Sequence, residues 1–151
     1  MKKVLLTLLF VPIIVLSQER YHEDLTKFDK ELGLMVFKDT KKLVSGIVFK
    51  GKKYIQHELT IVDGEVVSCV GYYKNGNIKH EGSYSNMMYN EFRKEYWRGG
   101  LLFSEGNFKD NFKDGLWTYY KSNGEEIKKE IIYEDGKINK KRTRQLKRSS
   151  K

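Results

Sequence analysis

The sequence predicts a mainly β protein, an elongated antiparallel meander of stacked β-hairpins. Turn dipeptides fall on a twelve-residue spacing, at Asp63-Gly64, Asn75-Gly76, Gly99-Gly100, Asn123-Gly124 and Asp135-Gly136. Two positions of this series are degenerate, at Asn86-Met87-Met88 and Asp110-Asn111-Phe112. These dipeptides supply the positive φ angles that a two-residue type I′ hairpin turn requires. The composition agrees, because alanine is absent and aromatic residues make up 13% of the chain, which favours strands over helices. Two strands with their turns therefore give a repeat with a 24-residue period.

Residues 1–17 are predicted to be a signal peptide. Lys2 and Lys3 precede an apolar run, and small or β-branched residues follow it just before Gln18, which is the layout of a secretory leader. The apolar run is short for a transmembrane helix, although an uncleaved N-terminal anchor is the alternative. We therefore expect an exported protein, periplasmic or extracellular.

The remaining chain has room for one domain. Residues 18–33 form a predicted N-terminal cap, in which Tyr21, Leu25, Phe28 and Leu32 have the spacing of a short amphipathic helix. Residues 34–137 form the predicted hairpin-repeat domain. Residues 138–151 form a basic tail, predicted to be disordered or at most a weak helix because it contains no acidic residue.

The excess of basic residues that gives the net charge of +9 lies outside the predicted folded domain. Eight of the 29 basic residues lie in residues 136–151 and two in residues 1–17, which leaves 19 basic against 20 acidic residues between them. A basic nucleic-acid-binding surface on the body is therefore not expected. The tail itself provides a candidate anionic-surface site at Lys140, Lys141, Arg142, Arg144, Lys147 and Arg148. Its expected ligands are anionic lipid, a polyanionic envelope polymer or nucleic acid, and a solvated tail that adds only solubility is the alternative.

The hairpin at Asp63-Gly64 has the clearest register. Pairing Val62 with Glu65 and Ile61 with Val66 gives the strands one dry and one wet face. The dry face is predicted to carry Ile55, His57, Leu59, Ile61, Val66 and Val70, and the wet face Gln56, Glu58, Thr60 and Glu65. Cys69 is the only cysteine, so no intramolecular disulfide forms, and we expect it to be a small buried hydrophobe.

Pairs of adjacent aromatic residues precede three of the turns. They are Tyr72-Tyr73, Tyr96-Trp97 and Tyr119-Tyr120, in which Tyr72, Tyr96 and Tyr120 recur with the period of the repeat. Adjacent strand residues point to opposite faces, so one ring of each pair is expected inside the fold and the other on the outer surface. These six residues are the predicted partner-binding site, with burial of both rings as the alternative. Gly82 and Gly106 in the return strands are predicted to lie beneath neighbouring rings.

Catalytic and metal-binding motifs are not found in the sequence. The three histidines, His22, His57 and His80, have no metal-ligand spacing, and no phosphate loop or nucleophile elbow occurs. We therefore predict a protein that is not an enzyme and has no cofactor, no metal site and no catalytic residues.

The pattern Gly-x-Trp-x-Tyr-Tyr-x-x-Asn-Gly at residues 115–124 resembles the variant MORN repeat of bacterial proteins. Residues 71–84 give a second match and residues 96–108 a weaker third, within a resemblance that covers roughly residues 43–137. The resemblance implies a single elongated sheet and a binding or scaffolding role, and some relatives carry an antitoxin label. We therefore expect an exported interaction module for a protein or cell-envelope component. The alternatives are an antitoxin-like or immunity-like neutraliser and a module that binds anionic lipid through the tail.

Overall fold

A computed structural model describes residues 18–86 and 88–149. The strands are β1 (Arg20–His22), β2 (Thr26–Asp29), β3 (Leu34–Phe37), β4 (Gly46–Lys50), β5 (His57–Val62), β6 (Glu65–Tyr72), β7 (Ile78–Ser85), β8 (Met88–Tyr96), β9 (Leu102–Lys109), β10 (Phe112–Tyr120), β11 (Ile127–Glu134) and β12 (Lys137–Ile138). A 3₁₀ turn, Glu23–Leu25, joins β1 to β2, and helix α1, Lys140–Ser149, follows β12. The prediction of a mainly β protein is confirmed.

Ten strands form one sheet in the order β1-β4-β5-β6-β7-β8-β9-β10-β11-β12. From β4 onwards each strand pairs antiparallel with the next one in the chain, whereas β1 pairs parallel with β4. The remaining strands, β2 and β3, form a separate two-stranded antiparallel sheet. The sheet is therefore mixed at its first edge and a simple meander elsewhere.

Two kinds of turn connect the strands of the meander. Both central residues have positive φ at Asp63-Gly64, Asp110-Asn111 and Asp135-Gly136, as a type I′ turn requires. At Asn75-Gly76, Gly99-Gly100 and Asn123-Gly124 only the second residue has positive φ. In the first of these turns the Gly76 amide donates to the Tyr73 carbonyl over 3.0 Å, a longer loop with a left-handed glycine. The type I′ prediction is therefore wrong for these three turns, although each reverses the chain where expected.

The helix predicted within the N-terminal cap is wrong. Residues 26–29 form strand β2, which pairs with β3, so their backbone groups bond to a partner strand and not along a helix. The side chains of Leu25, Phe28 and Leu32 are 54%, 40% and 60% exposed. The helical spacing of these residues therefore does not correspond to a buried stripe, and pairing with β3 overrides it.

One face of the sheet, here called the inner face, contains a row of paired residues from β5 to β10: Leu59, Cys69, Gly82, Arg93, Gly106 and Trp117. At the β4–β6 end the β2–β3 hairpin packs against it, with a core of Met35, Val44, Val48, Ile61 and Val66. The predicted pairs Val62–Glu65 and Ile61–Val66 form, but a bulge follows at Thr60/Ile61. The bulge places Val70 opposite Glu58 and Cys69 opposite Leu59. The dry-face prediction for Val70 is therefore wrong.

Aromatic rings bury the inner face at the other end of the sheet. Trp117 in β10 is fully buried, and its Nε1 donates to the Asn107 carbonyl over 2.9 Å. The ring lies against Gly106, where a Cβ atom would be 2.6 Å from the indole, as predicted. Gly82 differs from that prediction, because a Cβ there would meet the Phe92 carbonyl and Arg93.

The basic tail is helical in the part the structure describes, which agrees with the predicted alternative of a weak helix and not with a disordered segment. The Asn139 side chain accepts from the Arg142 amide over 2.9 Å, and Thr143 Oγ1 accepts from the Ile132 amide over 3.0 Å. Helix α1 is therefore capped and anchored along β11, which explains order in a segment with few apolar residues. The predicted signal peptide lies outside the described residues, and no helix within them is long and apolar enough to cross a membrane.

Candidate functional site

The face opposite the inner face, here called the outer face, contains three tyrosine–glutamate pairs. The hydroxyl of Tyr72 donates to Glu58 over 2.8 Å. Tyr96 donates to Glu81, and Tyr120 to Glu105, each over 2.5 Å. A strand bulge occurs next to each tyrosine, at Gly71/Tyr72, Glu95/Tyr96 and Tyr119/Tyr120. The same local arrangement is therefore present in β6, β8 and β10.

These pairs hold the tyrosine hydroxyls in the protonated state. Burial and the hydrogen bond to Glu58 raise the pKa of Tyr72 to about 12. The hydrogen bond to Glu105, with a smaller contribution from burial, raises the pKa of Tyr120 to about 12. The pKa of Tyr96 is raised by burial and by Glu81. At neutral pH the outer face therefore presents neutral phenols, each of which donates a hydrogen bond to a carboxyl group.

The other member of each aromatic pair lies on the inner face, as alternation predicts. Tyr73 donates its hydroxyl to the Tyr96 carbonyl over 2.8 Å. Trp97 packs on Phe103 with ring centroids 4.5 Å apart and stays 41% exposed. Tyr119 is buried, and its hydroxyl lies 3.0 Å from that of Tyr133. The six predicted residues thus divide into three that face outward and three with structural contacts.

The six predicted basic residues of the tail are all exposed on α1: Lys140, Lys141, Arg142, Arg144, Lys147 and Arg148. Arg142 forms an ion pair with Glu134 at 3.0 Å, on the side of the helix that packs against β11. At 3.6 residues per turn the other five fall within an arc of about 120°. They therefore form one basic face of the helix.

The inner face also brings together three residues that the sequence pattern did not connect. His57 in β5 pairs with Gly71 in β6, which in turn pairs with His80 in β7. Cys69 lies two positions from Gly71 on the same strand and therefore on the same face. One ligand atom from each of His57, Cys69 and His80 lies within 4.8 Å of the others. This set is called the His–Cys cluster below.

The surroundings of the His–Cys cluster are partly apolar and partly open. Cys69 is 5% exposed, burial raises the pKa of its thiol, and the Tyr89 hydroxyl lies 3.9 Å from its sulfur. Burial, with smaller contributions from Arg93 and His57, lowers the pKa of His80 to about 4. His57 is exposed. A cavity of about 320 Å³ reaches the cluster and is lined by His57, Leu59, Cys69, Tyr84 and Tyr89 among others.

Sequence spacing alone does not reveal this cluster. Eleven residues separate His57 from Cys69 and ten separate Cys69 from His80, which is far from the short spacings of metal motifs. The register of two hairpins brings the residues together, and that register depends on the bulges in β5–β6 and β6–β7. The one available signal was His57 on the predicted dry face.

Comparison with other proteins does not place the chain in a family. No protein-family model, no curated protein and no solved structure matches it. The resemblance to the variant MORN repeat therefore stays a prediction. The geometry of the outer face, the basic face of α1 and the His–Cys cluster remain as the basis for assigning function.

Proposed function

We propose that the chain is a non-enzymatic binding module that captures a protein or a cell-envelope component on the outer face of its sheet. The observation that carries this proposal is the tyrosine–glutamate pair found in three places, Tyr72–Glu58, Tyr96–Glu81 and Tyr120–Glu105. A ring on a sheet surface offers an apolar plane for stacking. A carboxylate held beside it adds a fixed hydrogen-bond acceptor.

The spacing of these pairs suits an extended partner. Glu58, Glu81, Glu105 and Glu130 lie in β5, β7, β9 and β11, in one row across the outer face. Strands are about 4.8 Å apart, so carboxylates on alternate strands recur about every 9.5 Å. A polypeptide with basic side chains or a polymer with repeated hydroxyl groups can meet several of them at once. Binding at several weak positions then accumulates along the ribbon.

A repeated two-strand unit and export from the cytoplasm belong to the same proposal. The three equivalent tyrosines, each next to a strand bulge, support the repeat, which also agrees with the resemblance to the variant MORN family. Lys2, Lys3 and the apolar run that follows support export. An exported module with these tyrosine–glutamate pairs on its outer face, where Lys94 lies between Glu81 and Glu105 in the register, would meet its partner in the periplasm or outside the cell.

Capture by the immobilised chain from cell-envelope extract, read by mass spectrometry, tests the proposal. The variant Tyr72→Ser/Tyr96→Ser/Tyr120→Ser is expected to lose the captured species while the circular dichroism spectrum stays unchanged. Tyr54→Ser is the matched control, because Tyr54 is a 37% exposed tyrosine in the β4–β5 loop. Capture that is equal for the triple variant and the wild type would refute a role of the outer face.

Replacing only the carboxylates separates stacking from hydrogen bonding. In Glu58→Gln/Glu81→Gln/Glu105→Gln the rings remain, but the charge of these three positions is removed. We expect this variant to bind a basic partner more weakly, with reduced salt dependence. A neutraliser of a toxin-like protein would use the same face, and the mass spectrum of the captured species identifies it.

The basic face of α1 supports a second candidate function, binding to an anionic membrane surface. Lys140, Lys141, Arg144, Lys147 and Arg148 share one side of the helix, away from the Arg142–Glu134 ion pair. Each basic residue near an anionic leaflet contributes about 1 kcal/mol, and the contribution falls with salt. We expect sedimentation with vesicles that contain anionic lipid and not with neutral vesicles.

A charge-neutralised helix tests this second function. Lys140→Gln/Arg144→Gln/Lys147→Gln/Arg148→Gln should abolish sedimentation with anionic vesicles at low salt. Lys52→Gln/Lys53→Gln/Lys74→Gln/Lys109→Gln, at exposed positions outside α1, is the control for the loss of four positive charges. If the helix variant sediments like the wild type at both low and high salt, α1 has no membrane role.

A further inference from the structure

We propose that His57, Cys69 and His80 form a binding site for a metal ion that prefers nitrogen and sulfur ligands, borderline Zn²⁺ or soft Cu⁺, on the inner face of the sheet. This site is separate from the tyrosine–glutamate pairs, which lie on the opposite face. The proposal therefore does not depend on the function proposed above.

The positions of the ligand atoms suit coordination after a small contraction. The imidazole nitrogens and the sulfur lie within 4.8 Å of one another. In a four-coordinate zinc site with Zn–N and Zn–S bonds of about 2.0 and 2.3 Å, neighbouring ligand atoms are about 3.5 Å apart. His57 is exposed and its ring centroid lies 6.0 Å from that of His80, so the imidazole has room to move. Side-chain rotation can therefore close the site around an ion.

Gly71 is the reason that two imidazoles can occupy this row. It lies between His57 and His80 in the register, and a Cβ atom at its position would be 2.4 Å from Cε1 and 2.6 Å from Nε2 of His80. Any side chain at position 71 would thus displace the His80 ring. The His80 ring occupies the space over Gly71 that a side chain would fill, and its centroid lies 6.0 Å from that of His57.

The donor set determines the kind of ion. Two imidazoles and one thiolate favour Zn²⁺ and Cu⁺ over Mg²⁺ and Ca²⁺, which prefer oxygen ligands. Coordination replaces the S–H bond of Cys69 with a sulfur–metal bond and releases the proton to solvent. Three protein ligands leave a further position on a four-coordinate ion, and the cavity of about 320 Å³ beside Tyr84 and Tyr89 gives access to it.

Two charged side chains lie beside the site. The Arg93 guanidinium lies 4.3 Å from the centre of the Tyr89 ring, and its positive charge acts on both Cys69 and His80. Its Nε forms an ion pair with Glu95 at 3.3 Å, and Glu95 pairs with His80 in the register, so these two charges offset each other. With the Cys69 thiolate, the site then carries one positive charge around Zn²⁺ and none around Cu⁺.

Titration of the full-length chain under reducing conditions with Co²⁺ as a spectroscopic probe tests the site. We expect a near-ultraviolet sulfur-to-metal charge-transfer band and the visible bands of a four-coordinate ion. Competition of Zn²⁺ and of Cu⁺ against Co²⁺ distinguishes the two ions, and a pH indicator should report release of one proton per bound ion.

Single substitutions assign the ligands. Cys69→Ser should remove the charge-transfer band, and His57→Ala and His80→Ala should each weaken Zn²⁺ or Cu⁺ binding by more than about tenfold, since even outer partners of a metal ligand contribute that much. His22→Ala is the matched control, because His22 is the histidine outside the cluster. Its affinity should equal that of the wild type.

Two results would overturn the proposal. One is the absence of a sulfur charge-transfer band together with no measurable affinity for Zn²⁺ or Cu⁺. The other is an affinity that is the same in His57→Ala as in the wild type. Circular dichroism of each variant separates loss of a ligand from loss of the fold, and His57 is the decisive position because its exposed side chain is the least needed for folding.

Discussion

The two ends of the ten-stranded sheet bury the same inner face by different means. At β4–β6 a second layer, the β2–β3 hairpin, covers it and forms a core of aliphatic residues such as Val44 and Ile61. At β9–β11 long side chains of the sheet cover it themselves. There Lys113 Nζ lies 3.7 Å from the centre of the Trp117 ring, and Phe108 and Tyr133 contact the ring at its edges.

This difference shows two ways in which a thin sheet can make a dry interior. A hairpin layer excludes water by its own backbone and methyl groups. Where no hairpin covers the sheet, aromatic rings and the alkyl stem of a lysine must exclude the water instead. Ring contacts run from Tyr84 through Tyr89 and Phe108 to Trp117. Because Tyr84 also packs against the aliphatic core, these rings join the two buried regions of the inner face. The His–Cys cluster lies where the hairpin layer ends and the rings begin.

Removing the indole is expected to have the largest effect on stability. Trp117→Ala should lower the free energy of unfolding by about 3–5 kcal/mol, because the ring is fully buried and no second layer can close the space. Urea denaturation measures the change. Leu116→Ala, at the adjacent 44% exposed residue, should change stability by less than about 0.5 kcal/mol. Similar losses for both variants would contradict the description of this end of the sheet.

Truncating a buried side chain at the β4–β6 end should lower the free energy of unfolding somewhat less. Ile61→Ala removes a fully buried side chain from the aliphatic core, and we expect a loss of about 3 kcal/mol. Val62→Ala, at a 48% exposed position on the same strand, is the control. Hydrogen exchange should show Ile61→Ala loosening β2–β6 before β9–β11. Uniform loosening would instead show that the two ends unfold as one unit.

A smaller effect is expected from filling the space beneath the indole. In Gly106→Ala the new Cβ would be 2.6 Å from Trp117, so the ring must shift, at a cost of about 1–3 kcal/mol. Gly99→Ala is the control, since no atom lies within 4 Å of its Cβ position. If both variants denature at the same urea concentration, the glycine is not needed for ring packing.

The smallest effect concerns the outer face and depends on pH. The folded-state pKa of Tyr72 and Tyr120 is about 12, above the ordinary value of 10.0, so folding favours the protonated phenols. Their contribution is complete below pH 10.0 and is lost as the pH rises towards about 12. Tyr72→Phe/Tyr120→Phe should lessen the loss of stability in this window. Absorbance of tyrosinate follows the titration, and ionisation of all tyrosines near pH 10 would disprove the pairing.

Local chemistry made much of the fold predictable. The pairs Val62–Glu65 and Ile61–Val66 follow from one Asp-Gly turn, and the opposite orientations of Tyr72 and Tyr73 follow from strand alternation. Strand β2 was missed because Tyr21, Leu25, Phe28 and Leu32 have helical spacing in the sequence. Helix α1 was expected at most as a weak helix, because contacts with β11, and not its own composition, hold it in place.

The candidate sites also divide into features that the sequence predicts and features that depend on the tertiary structure. The sequence alone determined that the chain reverses at Asp63-Gly64 and Asp135-Gly136 and that Tyr72 and Tyr73 point to opposite faces, because turn angles and side-chain alternation are properties of neighbouring residues. Only the tertiary structure decided which carboxylate each tyrosine contacts and that His57, Cys69 and His80 meet across Gly71. Those contacts depend on bulges that shift the register by one residue, and a bulge arises from the pairing of two strands, which neither strand specifies by itself.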